Sequence, residues 1–379
     1  MRVALASFCS GCGGLDLGVR RGLREADELG PSFVVRVAAL CESSPTCRAT
    51  LRRHNPDVPI EEDLKQLSPG TVREHLAAAG LSDFTVFLGG VPCPTFSTAG
   101  KGAGLEDPRG ECLGAFVELC ADAGADYIVI ENVRGLISAK TPTGANVLGG
   151  VVDRLEARGY LVSWKLYDAQ FFGVPQSRDR VVLIATRAAR PVGFLRPTHR
   201  AEGCPPAKTL RDAIGDLDAE APGPCAAYSA NRAAVFAQLG PGENWRQLPA
   251  EAQRAAMGAG AYAATSGGKT GFLRRLSYDA PSPTLVCSPT QHMTGLCHPT
   301  EVRPLSVREY ARVQTFPDEY EFCGSMAGRY AQIGNSVPVE FGAAIGRALR
   351  GHMLGAAEDL TGGGAARCSR YRTPSYVSG

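Results

Sequence analysis

Short apolar runs recur along the first half of the chain, each closed by a turn rich in glycine, proline or polar residues. Val3–Phe8, Val34–Leu40, Phe84–Leu88, Tyr127–Ile130, Leu161–Leu166 and Val181–Ala185 carry the β-branched and aliphatic content of buried strands. Stretches with helical spacing alternate with them. Leu15, Leu17, Val19 and Leu23 open one helix, and Pro45–His54, Glu111–Ala123 and Val147–Arg158 predict others. Strand and helix in alternation through residue 187 predict an α/β class with a doubly wound, mostly parallel sheet. From Ala188 to about Leu276 the pattern breaks. Helical pieces there are short (Leu210–Leu217, Asn231–Leu239), and Ala255–Ala264 has little pattern of any kind. This stretch reads as a separate module or a long insertion. Arg303–Phe316 follows as a loop and helix. Tyr330–Leu354 opens with Gln332-Ile333-Gly334-Asn335-Ser336-Val337-Pro338 and continues as a helix. Thr361–Gly379, rich in Gly, Ser and Arg, is expected to be disordered.

Composition narrows this only slightly. With 379 residues, 44% of them hydrophobic, the chain can bury a sizeable core and form two or three domains. It contains no apolar run of 18 residues, and its N-terminus enters a strand-and-turn pattern directly, so neither a membrane span nor a signal peptide is expected. The 13 cysteines are odd in number and lack a framework spacing, which fits free thiols in a reducing cytosol. Cys9 and Cys12 form a C-x-x-C with no second pair at zinc spacing, and one of them lies inside a glycine turn, so neither a metal nor a redox site is expected at this pair. A net charge of +2 does not mark a nucleic-acid binder. Between Arg187 and Arg275, 12 Lys and Arg stand against 7 Asp and Glu, an excess of 5 that suits either phosphates or an ordinary solvated surface.

Candidate chemistry begins at Leu88–Gly110, LGGVPCPTFSTAGKGAGLEDPRG. Cys93 lies between Pro92 and Pro94, too much proline for a helix interior or a central strand. It therefore sits on a loop at the carboxyl end of a strand, where open α/β sheets bind ligands. Cys93 is a candidate nucleophile, or else a small apolar residue packed under the loop. Ser10-Gly11-Cys12-Gly13-Gly14, between the first strand and helix, brings backbone N–H groups toward a ligand without completing a dinucleotide fingerprint. Glu42 ends the second strand, where an acid accepts from ribose hydroxyls. Asp63 suits an adenine amino group, although Glu61-Glu62-Asp63 also reads as plain surface. Glu131 follows a buried run, a setting that often perturbs ionisation, or else is a solvated strand-end acid. Gln176, Arg178 and Arg180 alternate in an extended segment, so they share one face and read as a grip on an anion or base edge, or as a salt-bridged strand edge.

Together these motifs resemble the cytosine-5 DNA methyltransferases, bacterial modification enzymes in particular. The resemblance spans nearly the whole chain in the family's order: the SGCGG turn, Glu42, PCPTFS with AGKGAGLEDPRG, the ENV triplet, Gln176-x-Arg178-x-Arg180, RPLSVREYARVQTFPDEYEF and QIGNSVPV. It implies the S-adenosylmethionine-dependent methyltransferase fold with a smaller inserted target-recognition domain. The expected divisions are 1–187 for catalysis and cofactor, 188–329 for target recognition and hinge, and 330–356 packing back on the catalytic domain near the glycine turn.

The resemblance also implies roles. Cys93 adds to carbon 6 of cytosine and makes carbon 5 nucleophilic. Glu131, protonated, bonds ring nitrogen 3 and the amino group. Arg178 and Arg180 hold the base, with Arg180 on its carbonyl. S-adenosyl-L-methionine is the implied cofactor, held by Phe8, Cys9, Ser10, Gly11, Gly13, Gly14, Leu15, Glu42, Asp63, Leu64, Pro92, Asn335, Ser336 and Val337. Double-stranded DNA is the implied partner, contacted by Ser97, Lys101 and Gln176, with the target base flipped out of the stack. Ser97–Gly104, with glycines at 100, 102 and 104, is expected to close over the DNA. A cytoplasmic monomer, with or without a cognate restriction endonuclease, completes the expectation. The sequence departs from the family twice. Many relatives place Phe where Cys9 stands, which leaves Phe8 or Cys9 as the neighbour of the adenine, and many have Gln where Pro94 stands. A transfer-RNA cytosine methyltransferase shares the core, but the 115 residues between Arg187 and Arg303 suit a DNA target-recognition region. A catalytically dead binding module is disfavoured by the presence of Cys93, Glu131 and Arg180.

Overall fold

The computed structural model describes residues 1–26, 30, 32–80, 82–92, 110–141, 143–219, 223–257, 272–291 and 294–356. The chain forms two compact units. The first comprises Met1–Gly173, Arg178–Pro206 and Val337–Gly379, and the second Val174–Ser177 with Ala207–Ser336.

The first unit is built on strands β1 (Arg2–Phe8), β2 (Val34–Cys41), β3 (Ile60–Glu61), β4 (Phe84–Gly89), β5 (Tyr127–Val133), β6 (Leu161–Asp168) and β7 (Asp179–Thr186). Their order across the sheet is β3-β2-β1-β4-β5-β7-β6. Helices α1 (Gly14–Arg24), α2 (Pro45–His54), α3 (Pro69–Ala78), α4 (Gly110–Ala123) and α5 (Val147–Ala157) connect them. The pairs β1–β2, β2–β3, β1–β4 and β4–β5 are parallel, whereas β7 runs antiparallel to both β5 and β6. Only the short segment from Ala169 to Arg178 joins β6 to β7. It holds a single 3₁₀ turn (Ala169–Phe172), too little for the crossover that parallel strands need. This reversal gathers the site. The carboxyl ends of β1, β2, β3, β4 and β5 lie along one edge of the sheet, and the amino end of β7 returns to it.

Helix α11 (Val339–Met353) belongs to the first unit and packs on α1 at very close range. A Cβ built at Gly18 would come 2.3 Å from the Val339 carbonyl oxygen, and one at Gly22 would come 2.1 Å from that of Ala343. Gly342 and Gly346 meet the same ridge from the other side. Glycine at these positions lets two backbones touch, and the ion pairs Arg21–Glu340 and Arg347–Glu25 flank the seam. The helix that ends the described chain is thereby fixed behind the glycine turn.

The second unit holds α6 (Leu210–Ile214), α7 (Ala230–Phe236), α8 (Ala250–Met257), α9 (Val307–Val313), α10 (Met326–Asn335) and a parallel pair of short strands, β8 (Arg274–Arg275) and β9 (Leu296–Cys297). Phe236, Leu239, Trp245, Leu248, Phe272, Leu273 and Cys297 form its own core. The segment read as Tyr330 to Leu354 proves to be two helices, separated by Ser336-Val337-Pro338 where a proline cannot continue α10.

Candidate active site

The turn after β1 is held from below. Cys9 adopts φ 52° and Gly11 φ 57°, left-handed values that begin the reversal into α1. Ser10 donates its backbone N–H to the Cys41 carbonyl (3.2 Å) and its hydroxyl to that of Ser7 (3.0 Å). Gly13 closes the turn on the Ser10 carbonyl at 2.9 Å. Glu42, just past β2, accepts from the Gly11 N–H (2.7 Å) and, with its other oxygen, from the Ser44 N–H (2.8 Å). One residue thus ties the turn to the next strand, and each carboxylate oxygen keeps lone pairs for a further donor. A Cβ at Gly11 would meet no described residue within 4 Å, so among the described residues the turn is uncovered.

Gly13 caps α1 with no side-chain bond, so the first N–H groups of that helix and its dipole remain suited to an anion. Gly14 and the buried Leu15 form its first positions. Beyond β3, Asp63 caps a 3₁₀ turn through the Lys65 N–H (2.9 Å), and Leu64 is buried. These groups fit a nucleoside with a charged amino-acid end: the Glu42 carboxylate for vicinal hydroxyls, open backbone at the glycines and a helix N-terminus for a carboxylate.

Phe8 has no part in that surface. It is 1% exposed, and its ring packs against Phe87 and Phe116 inside the core. The last residue of a central strand points into the layer beneath the sheet, which leaves the half-exposed Cys9 as the side chain at the turn.

At the end of β5, Glu131 is 7% exposed and Arg180 lies beside it, with the guanidinium Nε 2.9 Å from Oε1. The register explains the meeting. Glu131 is opposite Val182 and Val133 is opposite Arg180, so Glu131 and Arg180 are diagonal neighbours on one face. The approach is that of an ion pair set off the line of a good hydrogen bond, for Oε1 has no well-aligned donor. Burial pushes the Glu131 carboxyl above its ordinary value and outweighs the opposing pull of Arg180 and Arg178. Arg178 is buried two residues before Arg180, its N–H on Asp168 at 3.0 Å. Next to Glu131, Asn132 donates to the Val91 carbonyl (3.0 Å) and so links the end of β5 to the exit of β4 at the exposed Pro92. Cys93, Ser97 and Lys101, the expected closing segment and the expected disordered tail lie outside the described residues.

Gln176 departs from the sequence reading. Expected to face DNA beside Arg178 and Arg180, it is 0% exposed and belongs to the second unit. Its amide donates to Gln314 (2.8 Å) and accepts from the Leu285 N–H (3.0 Å). The strand begins only at Asp179, so the alternation that placed it with the arginines does not reach it. Asn335 and Ser336 also belong to the second unit, whereas Val337 is in the first. The exposed Asn335 accepts from the Cys287 thiol at 2.8 Å, and Ser336 is buried with its hydroxyl on the Ile333 carbonyl at 2.8 Å.

Sequence reasoning passed over Asp16. This acid in the first turn of α1 is 4% exposed, and neither oxygen has an aligned hydrogen-bond partner. Burial raises its pKa from 3.8 to about 6, against the smaller pull of the Ser7 hydroxyl and Arg20. The signal was an acid enclosed by Leu15, Leu17 and Val19, a patterning that puts it on the packed side.

A model of the C-5 cytosine-specific DNA methylase family matches residues 3–351. The chain is 37% identical over 313 residues to the Type II methyltransferase M.Eco47II of Escherichia coli, covering 80% of this chain and 71% of that protein. It is 36% identical over 365 residues to the Type II methyltransferase M.PspPI of Psychrobacter sp., covering 94% and 81%. Among solved structures, Spodoptera frugiperda DNMT2 shares the fold with a TM-score of 0.57 at 16% identity, covering 91% of this chain and 99% of that one. The chain belongs to the C-5 cytosine-specific DNA methylase family and is a DNA (cytosine-5) methyltransferase.

Proposed function

We propose that this enzyme methylates carbon 5 of a flipped-out cytosine in a short duplex DNA site, through a covalent adduct on Cys93. The buried Glu131 beside Arg180 carries the reading. A carboxyl that burial holds toward its protonated form can donate to ring nitrogen 3 of cytosine while its other oxygen accepts from the amino group. That drains charge from the ring as the Cys93 thiolate adds to carbon 6. Arg180 accompanies Glu131 and takes the base carbonyl, and Arg178 supports the same edge. In sequence, Cys93 lies between Pro92 and Pro94 shortly after β4, and Asn132 fixes the exit of that strand. Only the thiolate attacks, so the site must favour a thiol proton leaving.

S-adenosyl-L-methionine, when bound, supplies an electrophilic methyl group. Glu42 would hold its ribose hydroxyls, Asp63 its adenine amino group and the α1 N-terminus its carboxylate, with Ser10, Gly11, Gly13, Gly14 and Leu15 forming the turn and Cys9 at the adenine. Pro92, Leu64, Asn335, Ser336 and Val337 complete the set by family likeness. The second unit would carry target recognition, and Ser97 and Lys101 would meet the DNA. The related proteins are named Type II methyltransferases, which supports a bacterial, cytoplasmic modification enzyme whose site a cognate restriction endonuclease shares. Among the described residues no helix is long and apolar enough to cross a membrane.

Bisulfite sequencing of DNA from cells expressing the protein tests this reading. A short recurring motif methylated with wild type and unmethylated with Cys93→Ser is expected. Unchanged methylation in the variant would overturn the covalent mechanism, and methyl transfer to tRNA but not to duplex DNA would move the substrate to RNA.

A further inference from the structure

Two thiols that take no part in the methyl-transfer chemistry meet at the edge of the glycine turn. The sulfurs of Cys9 and Cys112 are 3.8 Å apart, both partly buried, and join the first turn residue after β1 to the first turn of α4. We propose that Cys9 and Cys112 form an oxidation site, closed to a disulfide by hydrogen peroxide, and that this bond competes with a ligand bound at the glycine turn. The competition rests on the cofactor site proposed above; the bond itself does not.

The two thiols are unequal. The contact with Cys9, in which either sulfur can donate, and the nearby Lys65 lower the Cys112 pKa against the opposing effects of burial, Asp63 and Glu42. Burial and the same contact hold the Cys9 proton in place. The Lys65 charge favours a thiolate on Cys112, whereas Glu42 and Cys41 oppose one on Cys9, so Cys112 is the attacking sulfur. It attacks peroxide, the O–O bond breaks, and hydroxide leaves and is protonated to water, giving a sulfenic acid on Cys112. The Cys9 sulfur then attacks that sulfur, the S–O bond breaks, and the departing hydroxide takes the Cys9 proton. Two thiols and one peroxide yield one disulfide and two waters. A disulfide needs its sulfurs about 2.05 Å apart, so they must close from 3.8 Å, a shift of the size that side-chain rotation provides. Cys9 sits at φ 52° and its backbone begins the turn, so a bond at this residue acts on the turn itself. Cys41, buried at the end of β2, interacts electrostatically with both sulfurs and is a competing thiol among the described residues.

Peroxide treatment of the purified full chain, followed by proteolysis and mass spectrometry without reduction, reads the bond. A Cys9–Cys112 linked peptide is expected in wild type and in Cys41→Ser and absent in Cys112→Ser. Over-oxidation of Cys112 with no linked peptide, or a link to Cys41 in its place, overturns the proposal. Equilibrium binding of S-adenosyl-L-homocysteine reads the second half. The oxidised protein should bind about tenfold more weakly or worse, and saturating ligand should slow bond formation, because coupling between two sites is reciprocal. Dithiothreitol should restore the affinity. Equal affinity of the oxidised and reduced forms removes the competition. A reduced protein with no affinity for this ligand overturns the cofactor reading and, with it, the competition, whereas the linked peptide is judged separately.

Discussion

Glu131 stands between burial, which favours its proton, and Arg180 at 2.9 Å, which favours its charge. Burial prevails because the carboxyl is sealed at the end of β5. If the proton is used on the cytosine ring, Glu131→Gln keeps the shape and loses the transferable proton. Its methyl-transfer rate should fall by about 10²–10⁴, the range of a lost general acid, with affinity for S-adenosyl-L-homocysteine nearly unchanged. An equal loss in both measurements would assign the residue to binding instead. Asp16 gives a stability test. Its pKa is raised from 3.8 to about 6 in the folded chain, so the folded state holds this proton more tightly than the unfolded one. Its contribution is most favourable at low pH, is lost as pH rises through about 6, and is flat above. Asp16→Asn should remove that slope and add up to about 3 kcal/mol near neutral pH, read from urea unfolding at several pH values. Identical slopes in the two proteins would mean that Asp16 is hydrated. Gln176 is buried among groups of the second unit, and Gln176→Ala should lower unfolding stability by about 1–3 kcal/mol by removing its bonds to the Gln314 amide and the Leu285 N–H. Unchanged stability with weaker DNA binding would return it to the DNA. Sequence pattern placed Glu131 and Arg180 by strand ends alone, because strand ends fix neighbours. It could not see Asp16 or Gln176, because burial of a polar group depends on what packs over it.

At the scale of elements, alternating apolar runs and helical spacing recovered the sheet's strands apart from the two-residue β3, and α2 coincides with Pro45–His54. Helix α3 had no such signal: Val72 is its only buried residue, so its period is nearly blank. The direction of β7 was likewise hidden, since it follows from the short connection after β6 rather than from the strand's own residues. The α1–α11 seam was legible only as an expectation that the last segment returns to the glycine turn, and the means of its return, paired glycines, emerges from the backbone approach. Gly22→Ala puts a Cβ 2.1 Å from the Ala343 carbonyl oxygen, and backbone has nowhere to move. Stability to urea should fall by about 1–3 kcal/mol or more, the range of an overpacked core. An unchanged midpoint would mean that the helices separate at no cost and that the seam does not hold the turn.

Across the molecule, the chain leaves the first unit for Val174–Ser177, returns for Arg178–Pro206, leaves again for Ala207–Ser336 and comes back at Val337 to complete the first. The family motifs follow the same path, which is why they were legible in order along nearly the whole sequence. Which target is recognised was not legible, because base-edge contacts depend on individual side chains rather than on any repeating pattern. Purified protein incubated with methyl-labelled S-adenosyl-L-methionine, and with duplex DNA or tRNA in parallel, addresses substrate and chemistry together once the products are digested to nucleosides. Label should appear in 5-methyldeoxycytidine from the duplex with wild type and be absent with Cys93→Ser. Label in tRNA alone, or undiminished transfer by Cys93→Ser, would contradict it.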